Sequence, residues 1–389
     1  MRHLTRGFVA AVLYSTMALS PAAIAADGER IAIPKPADAP AGQPAADKPH
    51  IDVVFAIDCS GSMGAVIETA KQKVWTIVNQ TAKAKPSPVL RIGLIGYGNG
   101  MGPFRNFPLT DDLDEVYKNL MTFKDEGWGS EFVGLAVDRA TNEMKWADGK
   151  QTLKVIYVVG NETARQGPAD KDYAKTAPLA IAKGIIVNAI YCGDVDYQNA
   201  PPTWREMAKL ADGQYMEIAQ TGGAIYVATP FDDELAKLSG DLNKTYCGYG
   251  SRAKDGFALQ TAGDASAAGL SGQVAAERAV AKSAAQYSNA RWDLVDACKD
   301  KNFKLEELKD DQLPDELKKL KPEERRAYID KLAKEREAVQ AKIKEISVKR
   351  DAHIKAEVEK KGLTGDKAFD EAVRKSLTEQ AEKKGYKFE

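Results

Sequence analysis

Histidine is scarce in this chain. Of 389 residues only 3 are His, and they are His3, His50 and His353. A Ser-His-Asp triad needs an imidazole beside its nucleophile, and a His-rich zinc site needs several; this supply excludes both. Charge of one sign is lacking too. Lys and Arg number 55 against 56 Asp and Glu, a net charge of −1, which leaves no basic field to hold nucleic acid. Aromatic platforms for single strands are not visible either. The glycine-rich run Gly96–Gly102 is not closed by Gly-Lys-Ser/Thr and precedes a short strand, so it reads as a hairpin turn and not as a phosphate cradle. Acids are plentiful, but nothing marks a catalytic pair. The chain is therefore expected not to be an enzyme. No repeat of solenoid length occurs. No apolar run reaches the roughly 20 residues a membrane span needs.

What is present begins with an export signal. Arg2, His3 and Arg6 precede a mostly apolar stretch, Gly7–Leu19; Ser20-Pro21 breaks it, and Ala23-Ile24-Ala25 has the small-x-small form of a cleavage site. Residues 1–25 are read as a signal peptide, and no Cys follows closely enough for a lipid anchor. The mature protein is then expected to be periplasmic or secreted, with no membrane span after processing. Residues 26–50 carry Pro34, Pro36, Pro40, Pro44 and Pro49 among Ala, Gly and Lys, a linker composition.

From Ile51 the pattern alternates. Ile51–Ile57 is an almost unbroken apolar run, as a central parallel strand would be. Val66, Ala70, Val74, Ile77 and Val78 then follow at helical spacing. Further strands are read at Val89–Tyr97, Phe104–Leu109, Val155–Val159, Ile185–Cys192 and Gln214–Ile218. Helices are read at Asp111–Phe123, Glu131–Trp146, Asp172–Lys183, Thr203–Ala211 and Phe231–Lys244. This order predicts an α/β fold, a doubly wound, mostly parallel sheet covered on both faces. Ligands in such folds bind beyond the C-terminal ends of the strands, which points to the loops after Ile57, Phe123 and Val159.

The first of those loops is Asp58-Cys59-Ser60-Gly61-Ser62-Met63. One carboxylate and two hydroxyls are hard oxygen donors, suited to Mg²⁺ or Mn²⁺, with Ca²⁺ also admissible, and unsuited to Zn²⁺. The D-x-S-x-S pattern, its place after the first strand and the order of elements over residues 51–246 resemble the von Willebrand factor type A domain, also known as the inserted domain of integrins. That resemblance implies a metal-ion-dependent adhesion site, completed by a Thr and an Asp from two later loops. Asp58, Ser60 and Ser62 match directly. In the Thr loop, Gly127-Trp128-Gly129-Ser130-Glu131, Ser130 is the hydroxyl substitute and Glu131 the other oxygen source. Asn161 falls on the Asp position, with Glu162 beside it. The expected metal ligands are Asp58, Ser60, Ser62, Ser130 and Asn161. A metal-free alternative has Asp58 and the serines capping the first helix. The function implied is metal-dependent protein binding or scaffolding at the cell envelope, the ion capturing an acidic side chain of a protein partner. The alternatives are a metal-free interaction domain and a carboxylate-based hydrolase.

Four cysteines remain for an oxidising compartment: Cys59, Cys192, Cys247 and Cys298. In the strand order the resemblance implies, Cys59 and Cys192 end strands that flank a third. They are about 10 Å apart at a strand spacing of about 4.8 Å, beyond the roughly 7 Å reach of a disulfide. Cys247–Cys298 is the expected bridge. Residues 247–298 are read as an Ala-rich segment packed on the domain, irregular from Gly250 to Asp264 and helical from Ala265. The last part, residues 299–389, is a charge-laced helical extension in which 47 of 91 residues are charged. A long helix is read at Glu323–Lys361 and a second at Phe369–Lys383. Ile329, Leu332, Val339, Ile343, Ile346, Ile354 and Val358 form a narrow apolar stripe that Arg336 and Arg350 interrupt. Two readings stay open: a coiled-coil hairpin closing on itself, or a surface for a homodimer or an envelope partner.

Overall fold

The computed structural model describes residues 48–127, 129–193, 199–362 and 368–388. Residues 1–25, read above as a signal peptide, and the linker as far as residue 47 lie outside them. In chain order the elements are β1 (His50–Asp58), α1 (Gly64–Ala82), β2 (Ala84–Lys85), β3 (Val89–Tyr97), β4 (Arg105–Thr110), α2 (Leu113–Met121), α3 (Val133–Glu143), β5 (Thr152–Gly160), α4 (Tyr173–Ala182), β6 (Ile186–Tyr191), α5 (Ala200–Leu210) and β7 (Tyr215–Glu217). Then follow α6 (Asp232–Asn243), α7 (Ala253–Leu270), α8 (Gly272–Ser283), α9 (Leu294–Ala297), α10 (Asp315–Lys318), α11 (Pro322–Lys360), α12 (Phe369–Glu382) and β8 (Lys387–Phe388).

The main sheet has the order β4-β3-β1-β5-β6-β7. Only β4 runs antiparallel, against β3. β1 lies between β3 and β5, which explains its unbroken apolar sequence: a strand paired on both edges and covered on both faces has no side for water. Its side chains alternate between two cores. Val53, Phe55 and Ile57 enter the cluster containing α1 and α2 residues, and Val54 and Ala56 enter the cluster of α3, α4 and α5. The α/β reading of the sheet therefore holds, and the glycine run is the β3–β4 hairpin connection. Among the described residues no helix is long and apolar enough to cross a membrane.

Three expectations are corrected. The stretch from Gly250 to Asp264 is mostly helix, since α7 starts at Ala253. Its glycines imitate a loop, but the helix packs on neighbours that need a bare backbone there. Cys247 and Cys298 are not bridged; all four cysteines are free thiols. The tie expected of that bridge is made instead by hydrogen bonds, Leu294 N–H to Cys247 O (2.8 Å) and Cys247 N–H to Asp293 Oδ1 (2.7 Å).

The third correction concerns the hairpin. The two long C-terminal helices are used separately against the rest of the chain. α11 lies along α6, α8 and α9, while α12 packs on α1. The apolar stripe of α11 faces this chain's own elements: Ile329, Leu332, Ile343 and Ile346 are buried. α12 covers the sheet. Tyr157 Oη is 2.9 Å from Ser376 Oγ, Asn188 and Gln380 exchange two amide hydrogen bonds (3.0 and 2.7 Å), and the rings of Phe55 and Phe369 lie 6.3 Å apart. β8 then pairs with β2. The described residues from 48 onward form one compact unit.

Candidate functional site at the end of the first strand

β1 delivers Asp58 to the C-terminal edge of the sheet, where the carboxylate is fully buried. The chain must turn at once to start α1, and Ser62 takes a left-handed conformation (φ 79°) to do so. The turn wraps the carboxylate. Ser60 N–H donates to Asp58 Oδ1 at 2.8 Å, and Ser60 Oγ lies 3.0 Å from Asp58 Oδ2. The glycine run supplies the opposite wall. A Cβ on Gly98 would stand 2.5 Å from Asp58 Oδ1, so only glycine permits this approach.

The loop before α3 contributes Glu131, which is 2% exposed. Its Oε1 lies 2.8 Å from Ser60 Oγ, no N–H reaches its buried Oε2, and its carboxyl is hydrogen-bonded to that of Asp58. Gln166, from the loop after β5, braces it by accepting the Glu131 N–H at 3.1 Å, and in turn donates to Glu162 at 2.6 Å. Asn161, from the same loop, donates to Ser62 Oγ at 2.7 Å and leaves its own Oδ1 buried and unpartnered. Ser130 is exposed. Its backbone joins the glycine wall, donating to Gly98 O (3.3 Å) and accepting from Gly100 N–H (2.7 Å). Of the five expected ligands, Asp58 and Ser60 are joined by hydrogen bonds, and Ser62 and Asn161 form a second, separate pair. Glu131, the second choice in its loop, occupies the interior, while the Ser130 side chain makes no hydrogen bond into the network.

The electrostatics are those of two acids without a base. Burial, above all, pushes the Asp58 carboxyl up to about 6. Burial and the nearby Asp58 charge push Glu131 up to about 9. Among the described residues no group of three or more His, Cys, Asp and Glu side chains is placed to hold a metal ion, so any ion here leans on hydroxyl and amide oxygens as well. The donor chemistry fits a hard divalent ion. Asp58, Ser60, Ser62, Asn161 and Glu131 offer oxygen donors alone, and the amide oxygen of Asn161 is without a partner.

The family model for the von Willebrand factor type A domain matches residues 52–232. Residues 52–232 are a von Willebrand factor type A domain. Solved structures similar to this chain include the following three. The conserved hypothetical protein BatB from Bacteroides thetaiotaomicron is 18% identical, with 43% of this chain and 90% of that chain covered and a TM-score of 0.34. The vWF domain of the type V pili tip protein Mfa5 from Porphyromonas gingivalis is 12% identical (46% and 92% covered, TM-score 0.36). Proximal thread matrix protein 1 from the mussel byssus, in a form with a zinc-occupied MIDAS motif, is 16% identical (44% and 42% covered, TM-score 0.36). No curated protein matches the chain. The match stops at Asp232, the first residue of α6, so α7 to β8 lie beyond the matched residues.

Proposed function

We propose that this chain is a divalent-ion-dependent protein-binding or scaffolding module of the cell envelope, and not an enzyme. Mg²⁺ or Mn²⁺, with Ca²⁺ as the further candidate, is held by Asp58, Ser60, Ser62 and Asn161, and keeps a position for an oxygen of a protein partner. An acidic side chain fits that position best, because hard cations favour carboxylate oxygen. The observation that carries the reading is the meeting of two buried carboxyls, Asp58 and Glu131, at the strand ends, with the unpartnered amide oxygen of Asn161 in the loop after β5. A buried polar atom without a partner costs roughly 1–3 kcal/mol, and a bound cation removes that cost. Export to the periplasm or beyond is part of the proposal and rests on the signal-like residues 1–25.

One observation favours a second reading, a metal-free interaction domain: both Asp58 oxygens already have Ser60 as a partner. One experiment separates the two. Mg²⁺ and Mn²⁺ are titrated calorimetrically into the purified protein and into Asp58→Ala. Saturable binding that the substitution abolishes is expected. Equal heats from both proteins would discard the metal reading.

A further inference from the structure

The residue that departs most from the expected ligand set is Glu131, and its surroundings say what it is for. Ser60 Oγ lies between two carboxylates, 3.0 Å from Asp58 Oδ2 and 2.8 Å from Glu131 Oε1. A hydroxyl carries one proton and can donate to one of them at a time. Among the described residues neither acid pairs with a Lys or Arg, and the further charged neighbour acting on both is another acid, Glu162. Glu131 is 2% exposed, no N–H donor reaches its Oε2, and its carboxyl is hydrogen-bonded to that of Asp58, two acids that only a shared proton or a cation can hold together. A carboxyl this buried, fixed at its own N–H by Gln166 and set against a second buried carboxyl, is placed to hold a cation in place of the shared proton.

We propose that Glu131 is itself a ligand of the divalent ion and, as the second negative charge of the site, sets how strongly that ion attracts a partner's acid. The proposal rests on the metal reading above and deepens it. Asn161, Ser60 and Ser62 bring no charge. With Asp58 alone, a divalent ion would keep one net positive charge to offer a partner. With Asp58 and Glu131 together, its charge is matched within the chain. The loaded site then holds its ion firmly but pulls on an outside carboxylate weakly, so capture depends on further contacts that a partner makes around the rim. A hydroxyl in place of Glu131 would reverse both properties.

The test uses the full chain, Mn²⁺ as the metal probe and acetate as the carboxylate probe. Mn²⁺ affinity is read by electron paramagnetic resonance, and the water bound to the ion by proton relaxation. Glu131→Thr and Glu131→Gln are compared with the parent, with Asp58→Ala and with Ser130→Ala; circular dichroism checks that each is folded, and the Gln variant keeps the side-chain shape. Both Glu131 variants are expected to bind Mn²⁺ about tenfold or more weakly, since even groups one step removed from a metal cost this much when lost. Glu131→Thr should also show additional metal-bound water, and acetate should displace water from the Glu131 variants at lower concentration than from the parent. Ser130→Ala should match the parent. If the Glu131 variants bind Mn²⁺ as the parent does while Asp58→Ala does not, the inference falls and the metal reading stands. If Asp58→Ala also binds like the parent, both fall. Weaker Mn²⁺ binding with an unchanged acetate response would overturn the charge argument.

Discussion

A serine hydroxyl has a single proton, and at Ser60 two buried carboxylates lie within reach of it. Without a cation the pair must keep a proton of its own. This has a consequence for stability. Asp58 is raised from 3.8 to about 6 and Glu131 from 4.5 to about 9, so the folded state holds protons that the unfolded chain has already released. The sign follows: the contribution is complete at low pH and is lost as pH rises through these folded values. In chelator, the melting temperature of the parent should therefore fall from about pH 5 to about pH 8 relative to that of an Asp58→Asn, Glu131→Gln double variant. Excess Mg²⁺ should remove that fall, because the ion binds the ionised carboxylates. A scanning fluorimetry series reads both; parallel pH profiles for the two proteins would refute the prediction. The sequence made Asp58, Ser60 and Ser62 legible because their spacing is local. Asn161 was legible because it directly follows a strand. Glu131 was legible only as the other oxygen source of its loop, since nothing in Ser130-Glu131 says which side chain turns inward, and an acid just before a helix reads as a first-turn charge.

Elements show the same limit in another form. Arg336 and Arg350 look like faults in the apolar stripe of α11, yet both are buried and anchor the helix. Arg336 donates to Asp293 Oδ2 (2.7 Å), Asp296 Oδ1 (3.0 Å), Thr245 Oγ1 (3.0 Å) and Thr245 O (2.8 Å), and its guanidinium lies 4.0 Å from the centre of the Tyr246 ring. Arg350 donates to Asp232 at 2.7 Å and pairs with Glu277. Helical periodicity scores an arginine as a gap, because a local rule cannot see the acids that meet it from elsewhere in the chain. α7 was missed for a related reason. Gly256 reads as a helix breaker, but a Cβ there would lie 2.5 Å from the Trp292 indole, so the glycine is what lets the tryptophan lie against the helix. Removing Arg336 leaves Asp293 buried without its cation and Asp296 with the exposed Lys299 alone. Arg336→Ala should therefore cost about 3–5 kcal/mol in urea unfolding, the usual cost of breaking a buried pair. Lys331→Ala, on the same helix with an exposed Glu335 partner, should change stability by less than about 1 kcal/mol. Similar losses for the two would mean that α11 is held by its apolar stripe alone.

At the scale of the whole molecule, the strands and helices up to α6 follow from alternation, but the cover of the sheet does not. The face that carries Phe55, Tyr157 and Asn188 is closed by α12, more than 180 residues later in the chain than Asn188. Its polar matches, Asn188 with Gln380 and Gln214 with Glu379 (2.8 Å), have no local signature in either partner. The Tyr386 hydroxyl completes the closure, lying 3.1 Å from His50 O and 2.8 Å from Gln151 O at the opening ends of β1 and β5. The C-terminal segment thus touches the two strands whose far ends carry Asp58 and Asn161. It follows that the type A domain of this chain does not stand alone. Phe369, Val373, Leu377, Ala381 and Tyr386 are all buried, and losing one large aromatic of this kind typically costs about 3–5 kcal/mol. A chain stopped at Gly362 should lose more than about 10 °C in melting temperature, or expose enough apolar surface to bind a hydrophobic dye at room temperature. Phe369→Ala in the full chain should move in the same direction by a smaller amount. A truncated chain that melts within a degree or two of the parent would mean that α12 and β8 merely rest on a sheet stable without them.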